Sequence, residues 1–126
     1  MKHFFTLSIL VAFLSSFVLR VGIDDVIAAM KTGNSSLVAK YFDNSVEISM
    51  PDKSNSYSKS QAELVLKDFF ASNPVKSFEI IHKGENAGSQ YCIGTLQTKN
   101  GTYRTTIFMK QKGDSQVLQE LRFENR

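Results

Sequence analysis

Tryptophan is absent from the 126-residue sequence, and cysteine occurs only once. A single cysteine excludes a disulfide scaffold and a zinc site built from cysteines. The two histidines, His3 and His82, are too few for a multi-histidine metal site. Glycine-rich phosphate loops, H-E-x-x-H and G-x-S-x-G are also missing from the sequence. We therefore expect neither a metal nor a cofactor.

The N-terminal 20 residues are typical of an export signal. Met1-Lys2-His3 is a short basic start, and the run Phe4–Leu19 is apolar apart from threonine and serine. This run is shorter than the roughly 20 residues that span a bilayer. We expect export of one domain, residues 21–126, to the periplasm or the medium, without a stable membrane span in the mature protein. Because no clean cleavage motif follows the run, a cleaved signal and an uncleaved anchor both stay open.

The charge pattern does not favour a nucleic-acid partner. The whole chain has a formal net charge of +3, but Lys2 and Arg20 belong to the N-terminal segment, so 13 basic and 12 acidic residues remain. The remaining lysines are scattered, and no basic stripe or aromatic nucleic-acid motif is present. We expect no nucleic acid to bind.

Helices are predicted first along the mature chain. Apolar residues spaced three and four apart predict an amphipathic helix through Ile23, Val26, Ile27 and Met30. Gly33 is expected to end this helix, and Asn34 or Ser35 to cap a short second one. A strand follows at Val46–Met50. Ser60-Gln61-Ala62-Glu63 matches a capping box that would begin a third helix.

Strands and turns are predicted for the second half. The strands lie near residues 75–83, 89–98, 102–112 and 116–124. They predict an antiparallel meander, and hence an α+β domain with helices packed on one face of a curved antiparallel sheet. Asn100-Gly101 is the strongest hairpin signal, because a type I′ turn needs positive φ at both central residues.

The predicted turn at Asn100-Gly101 sets the register of the hairpin. It pairs Lys99 with Thr102, so that Gly94 would face Ile107 and Ile93 would face Phe108. Three residues of the preceding strand are predicted to face the helices, with Phe78 filling the space left by Gly94; they are Phe78, Ile80 and His82.

The register of the last strand depends on one further assumption about the loop that precedes it. Its predicted inner side carries Val117, Gln119, Leu121 and Phe123. Matching that set to the apolar side of the neighbouring strand requires a loop with an odd number of residues, Lys112-Gly113-Asp114.

Several of these segments resemble the nuclear transport factor 2-like, cystatin-type cone. They are the break Lys31-Thr32-Gly33-Asn34, the pair Tyr41-Phe42 and the strand Val46–Met50. More narrowly, residues 23–124 are similar to a family of small exported bacterial proteins of unknown function, and the similarity includes Gln119-Glu120-Leu121-Arg122-Phe123-Glu124. The resemblance implies a pocket between helices and sheet. It also implies a superfamily with isomerases, dehydratases and polyketide cyclases beside binding and dimerisation modules, but no known catalytic set matches this chain residue by residue.

Five side chains are candidates for lining such a pocket: His82, Tyr103, Thr105, Gln119 and Cys92. His82 is either a general acid or base at the pocket rim or a polar residue at a strand end. Cys92 fits an inert core residue better than a nucleophile, because no cationic partner is evident. We assign no catalytic residue.

The opposite face of the meander is predicted to carry an apolar patch. Its members are Tyr91, Ile93, Thr95, Thr106 and Phe108. Such a patch, on the side away from the helices, indicates a homodimer interface with Arg104 and Lys110 at its rim.

Three functions follow from this sequence. We prefer an exported, non-enzymatic module that binds a small apolar ligand or a protein partner. A small-molecule isomerase, dehydratase or hydrolase and a structural homodimer without a ligand are the alternatives.

Overall fold

The computed structural model describes residues 22–126. In chain order its elements are α1 (Ile23–Lys31), α2 (Ser35–Ala39), β1 (Phe42–Met50), β2 (Lys53–Ser58), α3 (Lys59–Ser72), β3 (Val75–Asn86), β4 (Ser89–Thr98), β5 (Gly101–Lys112) and β6 (Ser115–Asn125). The predicted export signal, residues 1–20, lies outside the described residues. No helix between Gly22 and Arg126 is long and apolar enough to cross a membrane.

The first helix begins and ends as the sequence predicts, and the second begins as predicted but ends at Ala39, since Phe42, expected at the end of this helix, is the first residue of β1. The four apolar residues of the α1 stripe are all buried, namely Ile23, Val26, Ile27 and Met30. Gly33 follows α1 with a φ of 63°, a left-handed conformation that glycine adopts without strain. Asn34 caps α2, because its Oδ1 accepts a hydrogen bond from the backbone N–H of Leu37 at 3.1 Å.

The third helix begins two residues earlier than the predicted capping box implies. The Oγ of Ser58 accepts from the backbone N–H of Gln61 at 3.3 Å, and Oε1 of Gln61 accepts from the backbone N–H of Ser58 at 3.4 Å. The box therefore uses Ser58 and Gln61 instead of Ser60 and Glu63. Because β2 runs directly into α3, Ser58 is the last extended residue and takes the N-cap position.

The six strands form one sheet in the order β2-β1-β6-β5-β4-β3. Every neighbouring pair is antiparallel except β1 and β6, which are parallel. The α+β prediction is confirmed, with a mixed rather than wholly antiparallel sheet. Helix α3 packs over β1 and β2, and α1 packs over β3 and β4. We call the side that faces the helices the inner face and the opposite side the outer face.

The turn between β4 and β5 differs from the predicted type I′ turn. Thr98 pairs with Gly101, so Lys99 and Asn100 occupy the turn, and neither Asn100 nor Gly101 has a positive φ. Asn100 instead uses its Nδ2 to donate to the carbonyl of Ser72, at the end of α3. The contact with α3 holds this turn in place, and the local preference of Asn-Gly is overridden.

The different turn shifts the pairing between β4 and β5, but every side chain stays on its predicted face of the sheet. Gly94 lies opposite Thr105 instead of Ile107, and Ile93 lies opposite Thr106 instead of Phe108. Each strand moves by two positions relative to its predicted partner, and side chains alternate with a period of two, so every residue of the hairpin stays on its predicted side.

Strand β6 contains a bulge that the sequence analysis did not predict. Leu118 lies opposite Met109 and Glu120 lies opposite Phe108, so Gln119 is one extra residue on β6. The side-chain alternation reverses at this point. Leu118 is therefore fully buried on the inner face.

Two predictions about β6 are wrong for this reason. Val117 lies opposite Lys110, on the outer face, and not with Leu121 on the inner one. The connection from β5 is the two-residue turn Gly113-Asp114 between Lys112 and Ser115, and not a three-residue loop. The bulge supplies the odd residue that the loop was expected to supply.

A second bulge redirects the end of β3. Ile80 lies opposite Gly94 and His82 lies opposite Ile93, so Ile81 is the extra residue. His82 consequently lies on the outer face, and its predicted inward orientation is wrong. Ile80 keeps its inner side but is 45% exposed, because β3 is the edge strand.

The predicted contact between Phe78 and Gly94 is confirmed. A Cβ atom on Gly94 would lie 2.5 Å from Cε1 of Phe78 and 2.7 Å from the backbone oxygen of Glu79. The Phe78 ring is buried and occupies the space that a side chain on Gly94 would need.

We expect Gly94→Ala to destabilise the domain by about 2 kcal/mol or more, because both the buried ring and the backbone of β3 would have to move. Urea unfolding measures the loss. Gly101→Ala is the matched control in the same hairpin, since its Cβ would meet only the Tyr103 side chain, at 3.3 Å from the hydroxyl and 3.5 Å or more from the ring. Equal stability of the two variants would contradict the packing described here.

Candidate functional site

Cys92 is a core residue of the inner face. Its side chain is fully buried, opposite Ile107. Burial raises the pKa of the Cys92 thiol to about 11, and the neighbouring charges of Lys83 and Asp24 act in opposite directions. The neutral thiol therefore dominates near pH 7, which is unsuitable for a nucleophile.

Aromatic rings occupy the space between α3 and the sheet. Phe69 of α3 stacks on Phe123 of β6 with 4.3 Å between ring centroids, and it meets the edge of the Tyr103 ring at 5.2 Å. The Tyr103 hydroxyl donates to Oδ1 of Asn73 at 2.9 Å, and Nδ2 of Asn73 donates to the carbonyl of Phe69 at 3.1 Å. We call Phe69, Phe70, Tyr103 and Phe123 the aromatic cluster.

Thr105 lies on the inner face between Gly94 and Phe123 in the sheet. It is fully buried, and its Oγ1 has no hydrogen-bond partner among the described residues. A lone buried hydroxyl is a modest cost to stability.

Gln119 belongs to a polar cluster at the junction of β1 and β6. Its Nε2 donates to Oδ2 of Asp43 at 3.1 Å, while Lys112 forms an ion pair with Oδ1 of Asp43 at 2.8 Å. The hydrogen bond from Lys112, followed by those from Gln119 and the backbone N–H of Asn44, lowers the pKa of Asp43 to about 2. The bulge at Gln119 thus turns its amide toward a carboxylate that is charged at neutral pH.

His82 lies on the outer face, beside Tyr91. Its Nε2 is 2.7 Å from the Tyr91 hydroxyl, and the two rings are tilted with centroids 5.4 Å apart. A Cβ on Gly84 would lie 2.7–2.8 Å from atoms of Tyr91, so this ring extends across Gly84 toward His82. Sequence reasoning missed the role of Gly84, because it depends on the register between β3 and β4.

The five pocket candidates are not brought together. Cys92, Tyr103 and Thr105 share the inner face, while His82 lies on the outer face and Gln119 at the β1–β6 junction. Within residues 22–126, no group of three or more His, Cys, Asp or Glu side chains could hold a metal ion.

The five residues of the predicted interface do lie together. They share the outer face of β4 and β5, and each is half-buried; they are Tyr91, Ile93, Thr95, Thr106 and Phe108. We call this set the outer patch. Tyr91 lies directly opposite Phe108, and Arg104 lies opposite Thr95, so Arg104 borders the patch. Val117, which sequence reasoning placed inside, adds apolar area beside it.

A groove opens on the helical side, between α1 and α2. It has a volume of about 350 Å³ and is lined mainly by Ala28, Ala29, Leu37, Lys40 and Tyr41. The Tyr41 hydroxyl donates to Oδ2 of Asp25 at 3.1 Å. Burial raises the pKa of Tyr41, and the bond to Asp25 acts in the same direction. Neither effect activates the phenol as a base.

Comparison with known families agrees with this geometry. The family model described as a domain of unknown function, DUF4783, matches residues 23–124. The chain belongs to the DUF4783 family. The matched residues are those on which the sequence analysis based its resemblance to an exported family with the nuclear transport factor 2-like fold. No curated protein matches the sequence.

Solved structures of other DUF4783 proteins have the same fold. A family member from Bacteroides uniformis is 32% identical, with a TM-score of 0.79 over 82% of this chain and 95% of that chain. A member from Bacteroides ovatus is 30% identical, with a TM-score of 0.78 over 81% of this chain and 93% of that chain. A nuclear transport factor 2-like protein of unknown function from Cytophaga hutchinsonii matches at 10% identity and a TM-score of 0.60, over 82% and 86% of the two chains, which shows the fold alone.

The Asp43 cluster predicts the acid sensitivity of this DUF4783 domain. Because folding lowers the pKa of Asp43 from 3.8 to about 2, its contribution to stability is present above pH 3.8 and is lost as the pH falls toward 2. We expect Asp43→Asn to be less stable than the wild type at pH 7, and the difference to shrink between pH 4 and pH 2.

Urea unfolding across that pH range measures the difference. Asp114→Asn removes one exposed carboxylate from the adjacent turn and controls for the loss of a surface charge. A stability difference that stays constant down to pH 2 would show that Asp43 is not held in its charged form.

Proposed function

We propose that this DUF4783 domain is an exported, non-enzymatic binding module that works through the outer face of its sheet, where a second copy of the chain binds. The observation that carries the proposal is the outer patch, in which Tyr91, Ile93 and Phe108 form a contiguous, half-exposed apolar surface. The solvated face of an antiparallel sheet is ordinarily polar, and contiguous apolar area indicates an interaction site.

The shape of the outer patch supports a sheet as the partner. The Tyr91 ring lies across Gly84, and its hydroxyl is bonded to Nε2 of His82. The ring is therefore held along the sheet surface instead of projecting from it. A broad surface of this kind suits face-to-face packing of two sheets, which lie about 10 Å apart in such assemblies.

The charges around the outer patch support a second copy of the same chain. A twofold interface brings one surface against itself, so a border of a single sign would repel its copy. Here Arg104 and Lys110 of β5 lie near Glu120 and Glu124 of β6 on the same face. Carboxylates of one copy can then meet cations of the other.

The inner face supports this choice over a pocket function. The aromatic cluster occupies the space between α3 and strands β5 and β6. The groove of about 290 Å³ that opens between α3 and the β1–β2 hairpin is bordered by the charged side chains of Asp52, Lys53 and Asp68, which do not suit a small apolar ligand. The raised pKa of Cys92 and the outward position of His82 leave the inner face without an activated acid, base or nucleophile among the candidates.

We expect the double variant Ile93→Lys/Phe108→Lys to have half the molar mass of the wild-type assembly, because like charges from the two copies would meet at the centre of the interface and lose their hydration on association. Light scattering at tens of micromolar, on the order of ordinary weak-association concentrations, measures the mass.

Leu37→Lys/Leu64→Lys is the matched control. It makes the same kinds of change at two exposed apolar residues of the helical side, which are 43% and 61% exposed. The control should keep the wild-type mass. A monomeric wild type, or a patch variant with unchanged mass, would rule out the outer patch as the interface.

Export is tested separately. We expect residues 1–22, fused to a reporter enzyme that folds only where disulfides form, to direct the reporter out of a bacterial cytoplasm. Leu10→Arg/Leu14→Arg interrupts the apolar run and should abolish reporter activity. Equal activity of the two fusions, or an inactive wild-type fusion, would contradict export through this segment.

A further inference from the structure

Two adjacent isoleucines are exposed on the edge strand β3. Ile80 is 45% exposed and Ile81 is 55% exposed. Among residues 22–126, only four large apolar side chains are exposed, and these are two of them. The other two, Leu37 and Leu64, lie apart on different helices. Apolar exposure is therefore concentrated at the centre of β3.

The two edges of the sheet differ in length and polarity. Strand β2 has six residues, mostly serine, lysine and asparagine, whereas β3 has 12 residues. Short polar edges resist pairing with another chain, while a long edge with exposed apolar residues favours it, because its outward backbone groups have no partner strand. Among the described residues, β3 pairs with β4 alone.

We propose that the free edge of β3 pairs antiparallel with β3 of a second copy, so that two sheets join into one across a twofold axis between Ile80 and Ile81. This surface is distinct from the outer patch, and the inference does not depend on the proposed function. The pairing strand belongs to a second copy, because β3 is complementary to itself in this register.

The complementarity appears in the residues that would lie opposite each other. Ile80 would face Ile81 of the second copy, which buries both exposed side chains. Glu79 would face His82, and Lys76 would reach Glu85 from the end of the regular ladder, because Lys76 is the extra residue of a further bulge between Val75 and Ser77. These four polar residues are exposed. Both polar pairs occur twice because of the twofold symmetry. Each combines an acidic side chain with a basic one, which favours this register.

The bulge at Ile81 makes this register geometrically possible. Residues that pair across an antiparallel ladder must share a face and a hydrogen-bonding direction. Glu79 and His82 are three residues apart, so regular alternation would place them on opposite faces. The extra residue resets the alternation, and both lie on the outer face, opposite Thr95 and Ile93 of β4.

Charge reversal at the ends of the paired region tests the proposal. Lys76→Glu places two glutamates opposite each other in a self-pair, and Glu85→Lys places two lysines opposite each other. We expect each variant alone to associate through β3 on the order of tenfold more weakly, because the repulsion occurs twice. A mixture of the two variants restores both opposite-charge pairs and should form mixed dimers.

Native mass spectrometry resolves the mixed dimers when one of the two variants is uniformly labelled with ¹⁵N, because Lys and Glu residues themselves have almost the same mass. The variants are prepared in the Ile93→Lys/Phe108→Lys background, so that association through the outer patch does not contribute. Mixed dimers in excess over both self-pairs support the register, and a statistical mixture overturns it.

Ile80→Lys/Ile81→Lys, in the same background, tests the edge itself. These changes lie on exposed side chains, and circular dichroism checks that the fold is kept. We expect this variant to be monomeric at concentrations where its background is dimeric. With both contacts formed, the wild type is a tetramer, and this background, at half its mass, is a dimer through β3. A monomeric background, or a variant that remains dimeric, overturns the edge contact. If the wild type forms a dimer through the outer patch alone, the proposed function is supported and only the edge contact is excluded.

Discussion

The alternation of side chains along each strand is the constraint on which the rest of this structure depends. A strand residue faces either the helices or the outside, and a single extra residue exchanges the two for everything beyond it. The bulge at Gln119 brings Leu118 into the core and turns Val117 outward. The bulge at Ile81 turns His82 outward, beside Tyr91. These two irregularities determine what each face can bind.

The two faces have different chemistry as a result. On the inner face, the aromatic cluster and Cys92 form a packed interior in which the cysteine stays protonated. The polar candidate Gln119 is hydrogen-bonded to Asp43 at the sheet junction. On the outer face, Tyr91 and Phe108 lie opposite each other within reach of solvent. This distribution supports the proposed interaction with another protein surface over chemistry in a pocket.

Much of the fold follows from local patterns in the sequence. The stripe of α1, Gly33 and the Asn34 cap depend on neighbouring residues alone, and their predictions are confirmed. The outer patch is also placed correctly, since a two-position error in register preserves the faces. The bulges and the Asn100 turn depend on contacts distant in sequence, such as the bond from Asn100 to Ser72. The three-residue spacing of Leu118 and Leu121 was the available sign of a bulge, because regular alternation separates inward residues by even numbers.

The central claim is that the outer face of the sheet is covered by a partner in solution. Methyl-labelled isoleucine and leucine, observed by NMR with a soluble paramagnetic probe, tests it directly. Ile107 is fully buried in a single chain and Leu64 is 61% exposed, so they mark the two limits of protection. The account predicts that the Ile93 methyl is protected almost as well as that of Ile107. Relaxation of Ile93 approaching that of Leu64 would show an uncovered face and contradict the account.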